Sequence, residues 1–175
     1  MQKYRLIPHP AMPHPAITLD VEVTRLDGGG LRLWYVVAGA IEKLRVPKWG
    51  EPARADGLWQ ATCFEAFIRD GDGTAYDEVN LTSSRQWAAY SFDAYRAGMR
   101  QKDMLEPEIS VASWAETLAV GIDLTAIPPG RLWVNLTAVI EETDGTKSYW
   151  ALAHPGEKPD FHHPDGFVLE LPAAP

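Results

Sequence analysis

The run from residue 59 to residue 68 reads Trp59-Gln60-Ala61-Thr62-Cys63-Phe64-Glu65-Ala66-Phe67-Ile68. Successive side chains of an extended strand point to opposite faces, so Glu65 shares one face with Cys63 and Phe67. Both faces of this run are largely apolar, which is typical of a strand inside a layered β structure. A carboxylate is costly in such a place unless it pairs with another group or faces a ligand cavity. Glu65 is therefore the first candidate binding residue.

The composition is that of a single acidic domain. A length of 175 residues allows one domain, spanning residues 1–175, to bury a core without disulfides or metal ions. The formal net charge of -8 argues against nucleic acid or an anionic membrane as a partner. Cys63 is the only cysteine, which fits a reducing compartment. The first residues show no apolar segment of the kind that directs secretion, so a cytoplasmic location is predicted.

Short strand-like runs recur along the chain with turn residues between them, which predicts an all-β fold. Residues 17–24 and 31–38 form two such runs, joined by the hairpin turn Asp27-Gly28-Gly29-Gly30. The later runs extend this to a two-sheet antiparallel β-sandwich, jelly-roll-like, of about ten strands with long proline-rich loops. Residues 1–16 carry four prolines, which lack the amide donor, and are predicted to form an extended N-terminal arm.

A second hairpin brings further polar residues toward Glu65. The segment Asp70-Gly71-Asp72-Gly73 predicts a tight turn; it resembles part of a calcium loop but lacks the remaining ligands at the required spacing. The next strand carries Glu78 and Asn80 on one face, and a simple hairpin places that face beside Glu65. Two interpretations stay open here, a ligand site or a buried polar network that fixes the sheet.

Seven tryptophans are many for this length, and aromatic rings above a sheet hold sugar rings and planar cofactors. Trp59, at the start of the Glu65 strand, and Trp49, in a long loop, are predicted to be exposed platforms. Tryptophan also fills cores. Of the remaining tryptophans, most of the following four are expected in the core: Trp34, Trp87, Trp114 and Trp133.

The other unusual segment is the loop Lys158-Pro159-Asp160-Phe161-His162-His163-Pro164-Asp165. Prolines reduce the entropy that a loop loses when it becomes ordered, which suits a binding loop. His162 or His163 could ligate a metal or haem iron, or donate to a sugar hydroxyl. Hydrogen bonding is favoured, because adjacent strand residues point in opposite directions and a zinc site would need distant partners. A latch of Asp160 and His162 on the sheet is the structural alternative.

No catalytic motif is found in the sequence. It lacks a Gly-x-Ser-x-Gly elbow, a phosphate-binding loop, a glycine-rich dinucleotide turn and a His-Glu-x-x-His helix. The spacing of Glu65 and Glu78 alone does not support an acid–base pair. A non-catalytic role is therefore predicted.

Four segments of the chain resemble the DOMON-like superfamily, in particular its bacterial branch related to family 9 carbohydrate-binding modules. The resemblance spans most of the chain and rests on residues 58–68, 76–81, 86–90 and 158–165. As in the carbohydrate-binding relatives, a tryptophan stands six positions before a strand glutamate, here Trp59 and Glu65. An asparagine follows on the next strand, here Asn80.

The resemblance implies a two-sheet β-sandwich that binds a sugar or haem on one face. Two departures concern the sugar site: Glu78 stands where the relatives carry a basic residue, and Phe161 and His162 stand where their final loop has a second tryptophan. Haem-binding relatives use methionine and histidine as axial ligands, and Met99 and Met104 are available.

The sequence thus predicts a non-catalytic domain that binds a small sugar or another polyhydroxylated compound without a cofactor. A haem-binding redox module and an enzyme that acts on a sugar derivative through Glu65 are the alternatives. Oligomeric state is left open. The expected ligand-binding residues are Trp49, Trp59, Glu65, Glu78, Asn80, Phe161, His162 and His163.

Overall fold

The computed structural model describes residues 1–125 and 127–174, and strands dominate it. The strands are β1 (Gln2–Pro8), β2 (Ile17–Arg25), β3 (Leu31–Gly39), β4 (Ala53–Arg54), β5 (Cys63–Asp70), β6 (Tyr76–Leu81), β7 (Gln86–Phe92), β8 (Arg100–Gln101), β9 (Glu108–Trp114), β10 (Thr117–Leu124), β11 (Leu132–Glu141), β12 (Lys147–Ala151) and β13 (Leu169–Leu171). Helical structure in these residues is limited to three 3-10 turns, Ile41–Lys43, Leu58–Gln60 and Pro164–Gly166. None of the described helices could cross a membrane. The all-β prediction is confirmed.

Hydrogen bonding joins the strands into one continuous, curled sheet. Its order is β4-β7-β6-β5-β11-β12-β1-β2-β3-β10-β9, with β13 added beside β11 and β8 beside β7. Neighbours are antiparallel except for the short pair of β4 and β7. Two separate sheets are not confirmed, because β1 joins the two halves: its residues 2–6 pair with β2, and its last two residues pair with β12. The two predicted hairpins are present as β2–β3 and β5–β6.

Strand β1 corrects the predicted N-terminal arm. Residues 2–8 lie in the middle of the sheet, so the arm prediction was wrong for them. The prolines do not prevent this, since Pro8 is the last residue of β1 and the other three follow it. Leu6 is buried in the core, while Lys3 and Arg5 point outward and pair with Asp20 on β2.

The main core lies between the two halves of the curled sheet. It combines apolar residues of β2, β3 and β10 with those of β5, β6 and β11. The rings of Tyr35 on β3 and Phe64 on β5 lie 5.1 Å apart between centroids. The buried Tyr35 hydroxyl donates to the Glu65 backbone carbonyl at 2.7 Å. This bond ties β5 to the opposite half of the sheet at the residue expected to bind ligand.

We expect Tyr35→Phe to lower the free energy of unfolding by about 1 kcal/mol, because the buried Glu65 carbonyl loses a donor. Urea denaturation measures the change. Tyr4→Phe is the matched control, since the Tyr4 hydroxyl bonds to Gln2 at the surface. A Tyr35 variant as stable as the control would contradict this account of the core.

Candidate ligand-binding cleft

The face of β5 that points away from the main core forms the floor of a cleft with a volume of about 380 Å³. Aromatic rings, two carboxylates and one guanidinium contribute to its lining. The lining residues are Trp59, Glu65, Phe67, Glu78, Phe92, Arg96, Met99, Val139, Tyr149, Pro159, Phe161 and His162. The cleft thus combines apolar walls with a polar floor.

Strand register sets the positions of the polar groups on the floor. Glu65 lies directly opposite Asn80 on β6 and Thr137 on β11. Phe67 lies opposite Glu78, so Glu65 and Glu78 are diagonal neighbours. Diagonal positions of an antiparallel pair are separated by about 7–8 Å between Cα atoms. The two carboxylates are therefore close enough to interact, as the sequence predicted from the hairpin.

The Glu65 side chain is only 2% exposed and incompletely hydrogen-bonded. Its Oε2 accepts from the Thr137 hydroxyl at 3.4 Å. Its Oε1 has no partner within residues 1–125 and 127–174. Burial raises the pKa of Glu65 well above its ordinary value, the nearby Glu78 raises it further, and the Thr137 hydrogen bond opposes the shift.

The second carboxylate, Glu78, is also buried but better supported. The Asn80 side-chain amide donates to Glu78 Oε1 at 2.9 Å. Burial raises the pKa of Glu78, while the Asn80 hydrogen bond and the charge of Arg96 act in the opposite direction. The buried polar network considered from the sequence is thus present in part.

Two further acceptors on the same face are buried without a partner among the described residues. These are Asn80 Oδ1 and Asn135 Oδ1. The amide of Asn135 is engaged, since its Nδ2 donates to the Phe161 carbonyl at 3.0 Å. With Glu65 Oε1, three acceptor oxygens of neighbouring strands lack donors among the described residues, so the hydrogen-bond network beneath the cleft is incomplete.

His162 is neutral at neutral pH and has a defined tautomer. Burial, followed by the charge of Arg96, lowers the pKa of His162 to about 4. Its Nδ1 lies 2.8 Å from the Tyr76 hydroxyl, which also accepts from the backbone N–H of Arg96 at 3.3 Å. Tyr76 therefore donates to Nδ1, and the ring hydrogen sits on Nε2, 3.8 Å from Glu78 Oε2.

The loop that carries His162 is held by Asp160. The Asp160 carboxylate accepts from the Arg96 guanidinium at 2.8 Å, the Tyr95 hydroxyl at 2.6 Å and the His162 backbone N–H at 3.1 Å. Arg96 has a left-handed φ of 51°. A bulky residue in that conformation is unusual, and the three contacts of Asp160 hold the turn in place. The predicted Asp160–His162 latch exists, but it holds the cleft wall.

Five of the eight predicted binding residues line the cleft, while Asn80 is fully buried beside Glu65 and is not one of the lining residues. The five are Trp59, Glu65, Glu78, Phe161 and His162. Trp59 lies in the 3-10 turn Leu58–Gln60, anchored by buried Leu58, and is 39% exposed. It is the exposed platform that the sequence predicted.

The structure does not bring Trp49 or His163 to the lining of the cleft. Trp49 is 65% exposed, and its ring packs under the Arg85 guanidinium. His163 Nδ1 accepts from the backbone N–H of Asp165 and so begins the 3-10 turn Pro164–Gly166. Both were wrong as residues of this cleft. Both histidines lie in a loop, and His162 is the one that reaches the cleft lining.

The core assignments of the other tryptophans are mixed. Trp87 is buried, as expected. Trp114 is 53% exposed, so the core assignment was wrong for it, because β9 is an edge strand. Trp34 is partly buried and lies over Gly121 on the neighbouring strand, where a larger residue would overlap the ring.

Several lining residues were missed by the sequence analysis. Phe67 shares the face of Glu65 and was available from the alternation alone. Arg96 and Met99 lie between β7 and β8, where the sequence has no periodic pattern. Tyr149 comes from β12, which reaches the cleft through pairing with β11. The positions of Arg96, Met99 and Tyr149 in the cleft depend on contacts between distant parts of the chain, whereas that of Phe67 does not.

The described residues contain no group of three or more histidine, cysteine, aspartate or glutamate side chains that could hold a metal ion. In the turn that resembles a calcium loop, the Asp72 carboxylate pairs with Arg131 at 2.6 Å. That segment serves as the β5–β6 hairpin turn, as predicted.

Solved structures share this fold. A candidate carbohydrate-binding protein from Bacteroides uniformis aligns with a TM-score of 0.67 and 14% identity, over 95% of this chain and 84% of that chain. A family 9 carbohydrate-binding module from Caldicellulosiruptor kristjanssonii, in complex with glucose, aligns with a TM-score of 0.54 and 10% identity, over 90% of this chain and 77% of that chain. The sequence matches no protein-family model and no curated protein. At these identities the likeness shows the fold alone.

We expect Glu65→Gln to gain stability relative to the unchanged protein as the pH rises from about 5 to about 8. The folded pKa of Glu65 is raised, so its contribution is present below the unfolded pKa and is lost as the pH rises through the folded value. Each pH unit between the unfolded and the folded pKa corresponds to about 1.4 kcal/mol. The measurement is the difference in unfolding free energy at the two pH values. Glu170→Gln, which removes a half-exposed carboxylate on β13, is the matched control.

His162 has the opposite dependence. Because its folded pKa of about 4 lies below the unfolded value, the unchanged protein loses stability as the pH falls from about 6.5 to about 4. We expect His162→Gln, which keeps an acceptor for Tyr76, to escape this loss of about 3 kcal/mol. Urea denaturation at both pH values tests it, with His163→Gln as the control. Parallel pH profiles of His162→Gln and the unchanged protein would refute it.

Proposed function

We propose that this protein is a non-catalytic carbohydrate-binding domain that holds a small sugar or polyhydroxylated compound in the cleft. The observation that carries the proposal is the set of three buried acceptor oxygens without donors, on Glu65, Asn80 and Asn135. A buried acceptor left without a donor costs about 1–3 kcal/mol. Sugar hydroxyls are donors of the right kind, and they can also accept from Nε2 of His162.

The walls of the cleft, like its floor, suit a sugar. Trp59 and Phe161 offer ring faces to the apolar C–H surface of a pyranose, while polar groups fix its orientation. The volume of about 380 Å³ lies at the lower end of the range for small-molecule sites. The glucose complex of the structurally similar family 9 module supports the same ligand class.

A binding role is preferred over glycoside hydrolysis because the sequence carries none of the catalytic motifs sought above. The structurally similar family 9 protein in complex with glucose is likewise a binding module. We also propose, from the sequence, a relation to the DOMON-like superfamily, a cytoplasmic location and binding without a cofactor.

Haem binding is the second candidate, because Met99 and His162 line the same cleft. The ring of His162 fits an axial ligand poorly, since Nδ1 lies 2.8 Å from the Tyr76 hydroxyl and Nε2 faces Glu78 at 3.8 Å. A Soret band in protein expressed with a haem supply would favour this candidate. A colourless protein that ignores added haemin would remove it.

We expect Trp59→Ala to weaken sugar binding about tenfold or more, because stacking on the platform is lost. Isothermal titration calorimetry with mono- and disaccharides measures the dissociation constants, and tryptophan fluorescence gives a second readout. Trp114→Ala is the matched control, because this exposed tryptophan lies on β9 outside the cleft. Absence of saturable binding by any sugar to the unchanged protein would reject the proposed function.

A further inference from the structure

We propose that the ligand is an amino sugar, whose protonated amine is held between the side chains of Glu65 and Glu78 on the floor of the cleft. This inference rests on the proposed function and narrows its substrate class. It starts from two adjacent buried carboxyl groups that have no cation of their own among the described residues, and a neutral sugar would supply none.

The fold pairs its other buried carboxylates with cations. Four acidic side chains are buried among the described residues, namely Asp20, Glu65, Glu78 and Glu141. Asp20 pairs with Lys3 at 3.0 Å and also with Arg5. Glu141 pairs with Arg45 at 3.1 Å. The two carboxylates of the cleft have no such partner: within the described chain, neither forms an ion pair with a lysine or arginine.

Arg96 is the cation that lines the cleft, and it is engaged elsewhere. Its guanidinium is held by Asp160 at 2.8 Å, and its influence on Glu78 acts across space without a hydrogen bond. The imidazole ring of His162 is neutral, and its Nε2 lies 3.8 Å from Glu78 Oε2. The floor therefore holds two adjacent carboxyl groups whose hydrogen bonds come from the neutral side chains of Asn80 and Thr137 and not from a cation.

An ammonium group matches this floor in charge and in geometry. It brings one positive charge and three donors, and the floor offers unpartnered acceptors at Glu65 Oε1 and Asn80 Oδ1. Burial and mutual repulsion oppose the ionisation of these two carboxyl groups, and a cation placed between them reverses that effect. Hydroxyl groups can satisfy the acceptors but bring no charge, so the amine is what distinguishes the preferred ligand from a neutral sugar.

The surrounding rings favour a cation and disfavour an anion. Phe67 and Phe92 flank the carboxylates, and aromatic faces attract cations. A sugar acid would place a third negative charge beside the two glutamates. The cleft thus selects for charge sign as well as for hydroxyl arrangement.

The test compares glucosamine, galactosamine and mannosamine, each with its neutral hexose, by isothermal titration calorimetry with the full chain. At about pH 7, where amines of this class are largely protonated, at least one amino sugar should bind about tenfold or more tightly than its hexose. Glucuronate should bind more weakly than glucose. These comparisons use the unchanged protein and do not depend on the folding of any variant.

Two variants test whether the preference for the amino sugar depends on Glu78. In Glu78→Gln, the ratio of the hexose to the amino-sugar dissociation constants should fall to about one. In Glu170→Gln, which removes the same charge from β13 outside the cleft, the ratio should be kept. Loss of the ratio in both variants would overturn the proposal, because net charge alone would then explain it.

The outcomes separate this inference from the function on which it rests. Hexoses and amino sugars binding equally well would overturn the amino-sugar proposal and leave the carbohydrate-binding domain standing. Binding of neither class would reject both. An advantage of the amino sugar that survives in Glu78→Gln would also overturn the proposal, since the amine would then be held elsewhere.

Discussion

The burial of β5 on both faces is the constraint on which the rest of the structure depends. One face carries Phe64 into the main core, where Tyr35 packs against it and bonds to the Glu65 carbonyl. The other face carries Glu65 into the cleft. Because β5 is also paired on both edges, its backbone has no freedom to adjust. The acceptors of the floor are therefore fixed before any ligand arrives, which lowers the entropy lost on binding.

The sequence left open whether the polar residues of β5 and β6 form a network or a ligand site, and the structure shows why. The hydrogen bonds from Asn80 to Glu78 and from Thr137 to Glu65 are those of a network. The same residues keep acceptors without donors. A network that is complete on the protein side would leave nothing for a ligand. This one is incomplete, because three of its acceptor oxygens lack donors among the described residues.

The features that the sequence predicted correctly lie on strands that are adjacent in the chain. The alternation of Glu65 and Phe67, and the hairpin that brings Glu78 beside them, involve residues close in the chain. What it missed depends on distant pairing or on irregular backbone. Arg96 lies in a turn with no periodic pattern, and no short-range rule shows that β9 is an edge strand that exposes Trp114. The sequence did not predict β1, because the four prolines of residues 1–16 indicated an arm although they lie at or beyond the end of the strand.

The central place of β1 has a consequence for how the molecule is made. Ile7 on β1 pairs with Ala151 on β12, so two strands from opposite ends of the described chain are direct neighbours. On the ribosome, β1 can pair with β2 early, but its last two residues, Ile7 and Pro8, stay unpaired until β12 has emerged. An open edge can pair with other chains, so the nascent protein is exposed to aggregation through most of its synthesis. The charged, outward-facing Lys3 and Arg5 of β1 oppose such pairing during that interval.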